Sequence, residues 1–236
     1  MGWMCQAAES PFFDIIPVMR LLALALCAVF LAACSGSGDN ERVNGSVDIA
    51  VGQPLADAST VNGAVHVEPG AAVKAASTVN GSITIGDRAS AASATTVNGS
   101  ITLGADARVS GDLKTVNGAF TLQHGANVGG ELRNVNGKFE LDGARVGKGI
   151  RTTNGDIDVG AGSRVEGGIE YDASTGFSVS FTHHVPRIVI GPGAVIQGPL
   201  KFGREVRLYV SDRAQTGPVT GATPISFSGD QPPAGQ

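Results

Sequence analysis

An Asn-Gly dipeptide, usually preceded by valine, returns along this chain at a nearly constant interval and constrains its fold more than any other feature. The copies are Val43-Asn44-Gly45, Val61-Asn62-Gly63, Val79-Asn80-Gly81, Val97-Asn98-Gly99, Val116-Asn117-Gly118, Val135-Asn136-Gly137 and Thr153-Asn154-Gly155. Successive Asn residues lie 18, 18, 18, 19, 19 and 18 positions apart. A fixed period of this size is the signature of a repeat architecture, in which each repeat packs only against its neighbours.

Within one period, apolar residues alternate with polar or small ones, as they do along a half-buried strand. Val65 and Val67 flank His66, and after Pro69-Gly70 the residues Val73 and Ala75 continue the alternation. Later periods repeat the first pair as Ile83 and Ile85, Ile101 and Leu103, Phe120 and Leu122, Phe139 and Leu141, and Ile157 and Val159. Such short strands bury a core only if successive periods stack. We therefore predict an all-β fold, a single-stranded parallel β-helix (β-solenoid) with about 18 residues per coil.

Asn-Gly is also a hairpin turn signal, because both residues tolerate positive φ, so a β-meander or sandwich competes with the solenoid. The constant step over seven copies favours the solenoid. Coils stack ~4.8 Å apart, a distance at which identical amides can hydrogen-bond along the axis. We predict a structural ladder of Asn44, Asn62, Asn80, Asn98, Asn117, Asn136 and Asn154. The 19-residue steps should lengthen turns, because an extra strand residue would reverse the inward and outward faces.

Residues 1–33 have the pattern of a processed leader. Leu21 to Ala33 is an apolar run of 13 residues preceded by Arg20, which is short for a membrane span and typical of a signal-peptide core. It ends in Leu31-Ala32-Ala33-Cys34, which resembles the lipobox of bacterial lipoproteins. The resemblance implies cleavage before Cys34, a diacylglyceryl thioether on its sulfur, and acylation of the new N-terminus, for example with palmitate. Several acyl chains anchor a protein stably.

The first 18 residues depart from this pattern, because they carry Glu9 and Asp14 and no Lys or Arg. Met19 begins a normal signal peptide, so we interpret residues 1–18 as a mis-assigned start. Ribosome profiling tests this, and a precursor that begins at Met1 contradicts it.

Residues 34–40 are predicted to form a flexible tether, since Ser35 to Asn40 is rich in Ser and Gly. In the lipoproteins that this chain resembles, an Asp directly after the modified Cys favours retention in the inner membrane. Ser35 occupies that position, so the resemblance implies an outer-membrane location facing the periplasm. Cleavage also removes Cys5 and Cys27, which leaves no pair of cysteines for a disulfide within the chain.

Charge argues against nucleic acid as a partner. The chain has 17 basic and 21 acidic residues, and removing the leader takes away one and two of these, respectively. The remaining net charge is therefore −3, with no basic run in the sequence to meet phosphates.

The solenoid is predicted to cover residues 41–215, with aromatic-rich coils from Tyr171 onward. Phe177 to Phe181 alternates as a strand, and a short run of apolar alternation follows from Ile188. A solenoid needs a covered end to avoid stacking on another copy, and we assign this role to the aromatic coils. Residues 216–236 are rich in Pro and Gly and are predicted to be a tail.

Two families share parts of this pattern. The repeats Ser77 to Ile85 and Thr96 to Leu103 resemble an adhesin-like bacterial β-solenoid family of unknown function. Ile190 to Gly198 is similar to coils of bactofilins, β-helical cytoskeletal proteins that form polymers. Together the likenesses cover roughly residues 43–210. Both imply a right-handed helix, whereas the six-residue spacing of Ile190, Ile196 and Phe202 also fits left-handed hexapeptide coils.

Catalytic signals are weak. The sequence has no Ser-His-Asp spacing, CxxC pair, P-loop or HExxH motif, and no cofactor or metal is predicted. His66 and His124 fall at outward positions of separate coils. His183 and His184 could serve a metal or an acyltransferase, but adjacent strand residues point to opposite faces, so only one could serve a given site. Asp156, Asp158 and Glu140 lie on nearby coils and could form an acidic strip for Ca²⁺ or sugar, although a solvated strand face is the simpler interpretation.

The sequence as a whole favours a lipid-anchored envelope protein without enzymatic activity, whose solenoid is a structural or adhesin-like surface for a polysaccharide or peptidoglycan. A self-assembling, bactofilin-like scaffold is the first alternative, with self-association as its property. A carbohydrate-active enzyme or acyltransferase is the second.

Overall fold

The computed structural model describes residues 40–172 and 185–233, and these residues form an all-β parallel solenoid. The predicted fold class is confirmed. No helix occurs in these two ranges, and hence none there could cross a membrane. Cys34, the leader, Phe177 to Phe181, His183 and His184 lie outside the described residues.

The strands are short, and most have two to five residues. The first ten are β1 (Asn40–Asn44), β2 (Val47–Ile49), β3 (Ala58–Asn62), β4 (Val65–Val67), β5 (Ala72–Asn80), β6 (Ile83–Ile85), β7 (Ser90–Asn98), β8 (Ile101–Leu103), β9 (Arg108–Val109) and β10 (Leu113–Lys114). The next eight are β11 (Phe120–Leu122), β12 (Asn127–Val128), β13 (Glu131–Arg133), β14 (Phe139–Leu141), β15 (Arg145–Val146), β16 (Gly149–Thr152), β17 (Ile157–Val159) and β18 (Arg164–Val165). The last eight are β19 (Ile169–Tyr171), β20 (Arg187–Ile190), β21 (Val195–Ile196), β22 (Leu200–Phe202), β23 (Arg207–Ser211), β24 (Gln215–Thr216), β25 (Val219–Thr220) and β26 (Pro224–Phe227).

Each coil contributes to three rows of parallel strands, which we call faces. The first face is a ten-stranded sheet, β2-β4-β6-β8-β11-β14-β17-β20-β23-β26, and therefore marks ten coils. The remaining strands form one sheet that divides at β7. The branch from β9 to β24, with the first residues of β5 and β7, is the second face. The branch from β10 to β25, with β1, β3 and the rest of β5 and β7, is the third face.

The core is one continuous column of inward side chains from all three faces. On the first face, Ile83, Ile101, Phe120 and Phe139 follow one another in register, as the repeat predicts. The two Phe rings lie 5.1 Å apart between centroids and are fully buried. On the third face, small inward residues give way to larger ones at the same point, where Leu113 follows Ala94. Larger side chains thus enter from two faces of the same coils.

Changes of coil length fall at corners between strands. Ala91 pairs with Val109, a step of 18, whereas Ala94 pairs with Leu113, a step of 19. The added residue therefore lies between Val109 and Leu113, outside both strands. Residues on both sides of the added residue keep their inward or outward direction. An added residue within a strand would instead exchange the two faces of that strand.

The strands continue through Phe227, twelve residues beyond the end that the sequence suggests at residue 215. β24, β25 and β26 pair with β21, β22 and β23, so another coil stacks on the last predicted one. Gly217, Pro218 and Gly221 fall outside these strands. Pro224 begins β26, which is the end strand of its sheet, where proline is tolerated. The Pro and Gly residues of this region therefore lie at corners between strands and on the end strand of the sheet.

Candidate functional site

The seven repeated Asn residues form a continuous amide ladder on the outside of the solenoid. In each of six steps, the side-chain Nδ2 of one Asn donates to the Oδ1 of the Asn one coil earlier, at 3.0–3.3 Å. The ladder runs from Asn44 to Asn154, where Oδ1 also accepts a hydrogen bond from Arg204 Nη1 at 3.4 Å. Because the amides bind one another, they hold the coils in register at the corner between the third and first faces.

A second, buried ladder runs beside the amides, and the sequence pattern did not reveal it. Thr60, Thr78, Thr96 and Thr115 each donate a hydroxyl hydrogen bond, 2.9–3.1 Å long, to a glycine carbonyl of the preceding coil. Tyr171 takes the same role later, with its hydroxyl 3.0 Å from the carbonyl oxygen of Gly155. Burial raises the pKa of Tyr171 to about 12. The ladder supplies these part-buried carbonyl groups with hydrogen-bond partners.

The glycine of the repeat is needed for close packing of coils at every copy from Gly63 to Gly155, whereas only Gly45, Gly137 and Gly155 among the repeat glycines have positive φ. Asn62, Asn80 and Asn98 do not have positive φ, since the only non-glycine residues with positive φ in the described ranges are Arg88 and Asp106. A Cβ at each stacked glycine from Gly63 to Gly155 would lie 1.8–2.2 Å from the carbonyl oxygen of the glycine one coil earlier. In the dipeptide, Asn therefore supplies the amide for the ladder, and Gly leaves room for the carbonyl oxygen of the preceding coil.

The predicted acidic strip is partly assembled, at a groove on the outer side of the first face. Glu140 and Asp158 are neighbours in register on β14 and β17. They line a cavity of about 490 Å³ whose other side includes Asp230 and the residues that follow it. Asp156 is engaged elsewhere, because its Oδ1 accepts the backbone N–H of Arg187 at 2.8 Å.

Electrostatics in this groove are mixed. Burial raises the pKa of Asp158, and the nearby Glu140 carboxylate raises it further, while Lys138 and Arg187 act in the opposite direction. Lys138 also hydrogen-bonds Glu140, which raises the pKa of Lys138. Throughout the described part of the chain, no group of three or more His, Cys, Asp or Glu residues is placed to hold a metal ion. The groove is thus a carboxylate pair beside two cations.

The histidines that the structure describes do not join this groove. His66 lies exposed on β4, and His124 lies exposed at a corner between the first and second faces.

The third face carries a row of cations that is tied into ion pairs. Lys114, Arg133 and Arg151 follow one another in register. Lys114 contacts Asp112 at 3.2 Å, and both arginines contact Glu131, at 3.3 and 3.7 Å. Burial opposes ionisation of Asp112, but the backbone N–H of Glu131 and the Lys114 ammonium outweigh it, so that its pKa lies below the ordinary value. These charges stabilise one another across coils.

The second face carries a different cation row. Arg108, Asn127, Arg145 and Arg164 occupy one outward position on four successive coils. Arg145 and Arg164 both contact Glu166, the latter at 3.9 Å. Within residues 40–172 and 185–233, no carboxylate lies within ion-pair distance of Arg108.

Comparison with known proteins finds no relative for this chain. No family model matches it, and neither a curated protein sequence nor a solved structure matches it significantly. The resemblances to adhesin-like solenoids, bactofilins and lipoproteins therefore stay predictions.

Proposed function

We propose that this protein is a cell-envelope lipoprotein without enzymatic activity, whose solenoid is a structural, adhesin-like binding surface for an envelope polymer. One observation carries the proposal: outward polar side chains recur in register once per coil, as Thr84, Thr102 and Thr121 do on the first face. The coil spacing is ~4.8 Å. A ligand made of repeating units can therefore meet the same side chain at each step along the axis.

Attachment to the membrane is proposed through Cys34. β1 begins at Asn40, six positions later, so an extended tether reaches about 20 Å at most. This length keeps the first coil close to the bilayer. Ser35, in the position after the modified Cys, supports the outer membrane, facing the periplasm, as the location.

Metabolic labelling with a palmitate analogue tests the anchor. The unchanged chain should incorporate the label and sediment with outer membranes, and Cys34→Ser should lose both properties. Cys27→Ser is the matched control, because it keeps the lipobox and should behave as the unchanged chain. Equal labelling of the Cys34→Ser variant contradicts the proposed anchor.

Co-sedimentation with purified peptidoglycan sacculi and with envelope polysaccharides tests the binding surface. We expect saturable binding to one of these polymers, which soluble fragments of the same polymer should compete away. Binding that never saturates, or no binding to any of them, refutes the proposal.

The first alternative is a self-assembling scaffold of the bactofilin kind, for which right-handed winding also stays a prediction. The end strands β1 and β2 favour it, because each is paired on one side only. Sedimentation velocity over a range of concentrations, with electron microscopy, distinguishes the self-assembling scaffold from the polymer-binding surface. Growth into filaments supports the scaffold, whereas a stable monomer or small oligomer refutes it.

The second alternative is a carbohydrate-active enzyme, favoured by the groove that contains Glu140 and Asp158. A carboxyl group with a raised pKa beside a second carboxylate in a cavity is a candidate acid–base pair. Turnover of a labelled envelope glycan that Asp158→Asn abolishes, and that the outward control Asp48→Asn retains, supports the enzyme. Absence of turnover refutes it. An acyltransferase based on His183 or His184 stays a prediction.

A further inference from the structure

The second face contains a trough that runs along the axis of the solenoid. Its floor is the strand backbone at Val73, Ala91 and Val109, which are neighbours in register on three coils and whose side chains point into the core. Along one side lie Ala92, Ser110 and Gly129, whose side chains are small or absent. The trough has a volume of about 450 Å³ and is open to solvent.

Close packing of the coils restricts this side of the trough to small residues. A Cβ at Gly129 would lie 2.6 Å from the carbonyl oxygen of Ser110, and a Cβ at Gly147 would lie 2.7 Å from that of Gly129. Larger residues would therefore push the coils apart. The row of small residues continues from Gly129 to Gly147 on the next coil.

The opposite side of the trough is polar and positively charged. Ser90, Arg108 and Asn127 occupy one outward row, which continues on the next two coils as Arg145 and Arg164. Arginine guanidinium groups bind carboxylates through two parallel hydrogen bonds, which favours anionic ligands.

Charge balance supports the same ligand class. Lys74 lies at the early end of the trough, 65 % exposed, and its Nζ is 3.7 Å from Asp57. Among the described residues, Lys74 and the row of Arg108, Arg145 and Arg164 form ion pairs with only two carboxylates, Asp57 and Glu166. The lining of the trough contains Lys74 and Arg108 and no carboxylate, on a chain whose net charge is −4.

We propose that this trough binds an extended polysaccharide that carries carboxylate groups, with its chain along the solenoid axis. The inference rests on the proposed function and names the ligand class of that surface. The exposed side chains of Leu55 and Ala92 would contact the C–H faces of the sugar rings, while Ser90, Ser110 and Asn127 would meet their hydroxyls. Arg108 binds a carboxylate directly, because it has no competing acidic partner among the described residues.

Other anionic partners fit less well. Single-stranded nucleic acids are bound by stacking on aromatic side chains, and no aromatic residue lines the described trough. A flat anionic bilayer would meet the rims of a trough and would leave its floor empty. A single extended polymer chain fills both.

The test uses the full-length protein in mild detergent with polygalacturonate as the probe and methyl-esterified polygalacturonate as the matched ligand without charge. We expect saturable binding to the acid form that weakens as salt is added, and no binding to the ester. Arg108→Ala should weaken binding about fivefold, the scale of one exposed charged contact. Arg108→Glu should weaken it at least about tenfold, because it also adds repulsion.

Arg207→Glu is the control, since Arg207 is an exposed arginine on the first face. It makes the same change in net charge and should leave binding unchanged, and far-UV circular dichroism should show that all variants are folded. Equal binding by Arg108→Glu and the unchanged protein refutes the trough as the site. Binding to a neutral envelope glycan but not to polygalacturonate refutes the ligand class and leaves the proposed function standing. Binding to anionic phospholipid vesicles instead of the polymer also overturns the inference, and binding to no polymer refutes both proposals.

Discussion

Replacing Gly99 by alanine should destabilise the solenoid far more than an ordinary glycine substitution. The new Cβ would lie 2.0 Å from the carbonyl oxygen of Gly81 and 2.5 Å from its carbonyl carbon. Carbon–oxygen contacts need about 3.3 Å, so the two coils must separate by roughly 1 Å at this corner. The Thr96 hydroxyl bond to Gly81 (2.9 Å) and the bond from Gly81 N–H to the Asn98 carbonyl (3.0 Å) cross that junction.

The cost follows from what the separation breaks. Each lost hydrogen bond costs about 1 kcal/mol, and a carbonyl left buried without a partner costs more. Overpacking adds about 1–3 kcal/mol. We expect Gly99→Ala to lower the free energy of unfolding by about 3 kcal/mol or more, measured by urea unfolding monitored by circular dichroism.

Gly162→Ala provides the comparison. Gly162 has a φ of +69°, but a Cβ there would meet nothing within 4 Å. Only backbone strain of about 1–2 kcal/mol is expected. If Gly99→Ala costs no more than Gly162→Ala, the close-packing argument is wrong.

Three further measurements test other features. Thr96→Val should cost about 1–2 kcal/mol in urea unfolding, because the part-buried Gly81 carbonyl loses its hydroxyl partner, and Thr96→Ser should restore most of the loss. Asn98→Ala removes two exposed amide bonds of the ladder and should cost about 1 kcal/mol by the same assay, so a loss as large as that of Gly99→Ala would contradict the assignment. In a spectrophotometric titration, Tyr171 should ionise near its pKa of about 12, and Tyr171→Phe should remove that phase; a surviving phase would contradict the assignment.

The raised pKa of Asp158 predicts the direction in which the stability of the fold changes with pH. Because the pKa of Asp158 is raised, the folded state holds its proton more tightly, and its contribution to stability falls as pH rises above the ordinary aspartate pKa of 3.8. Relative to Asp158→Asn, the unchanged protein should lose stability across that rise. Urea unfolding at several pH values measures the difference, and a relative gain with rising pH contradicts the sign.

The sequence predicts the period, the inward apolar positions and the location of the added residues, because each recurs coil after coil. Ile83, Ile101 and Phe120 fall in register as the alternation requires. The corner within β5 was not predictable in this way. Alternation predicts Ala75 as inward, but Ala76 is the buried residue. The chain turns there within one continuous strand, without a Gly or Pro to mark the change.

The sites were less accessible to sequence reasoning, because each is assembled from several coils. The acceptor of Thr96 lies 15 positions earlier, and nothing near Thr96 marks its hydroxyl as buried. Arg108, Arg145 and Arg164 lie 37 and 19 positions apart, so they align only when the 18- and 19-residue coils are counted separately. The net charge of the chain did not indicate this row of arginines, because acidic residues outnumber basic ones in the whole sequence.

The strand pairing on either side of residues 173–184 has a practical consequence. Tyr171 pairs with Phe202 and Ile157 with Ile188, each 31 positions later, and strand register is the same before and after the additional residues. About twelve additional residues therefore leave the strand pairing on either side of them unchanged. A point of the chain that accepts additional residues without a change in strand register can gain or exchange sequence without loss of the solenoid. The same property recommends the segment between Asp172 and Val185 for grafting a tag or an epitope.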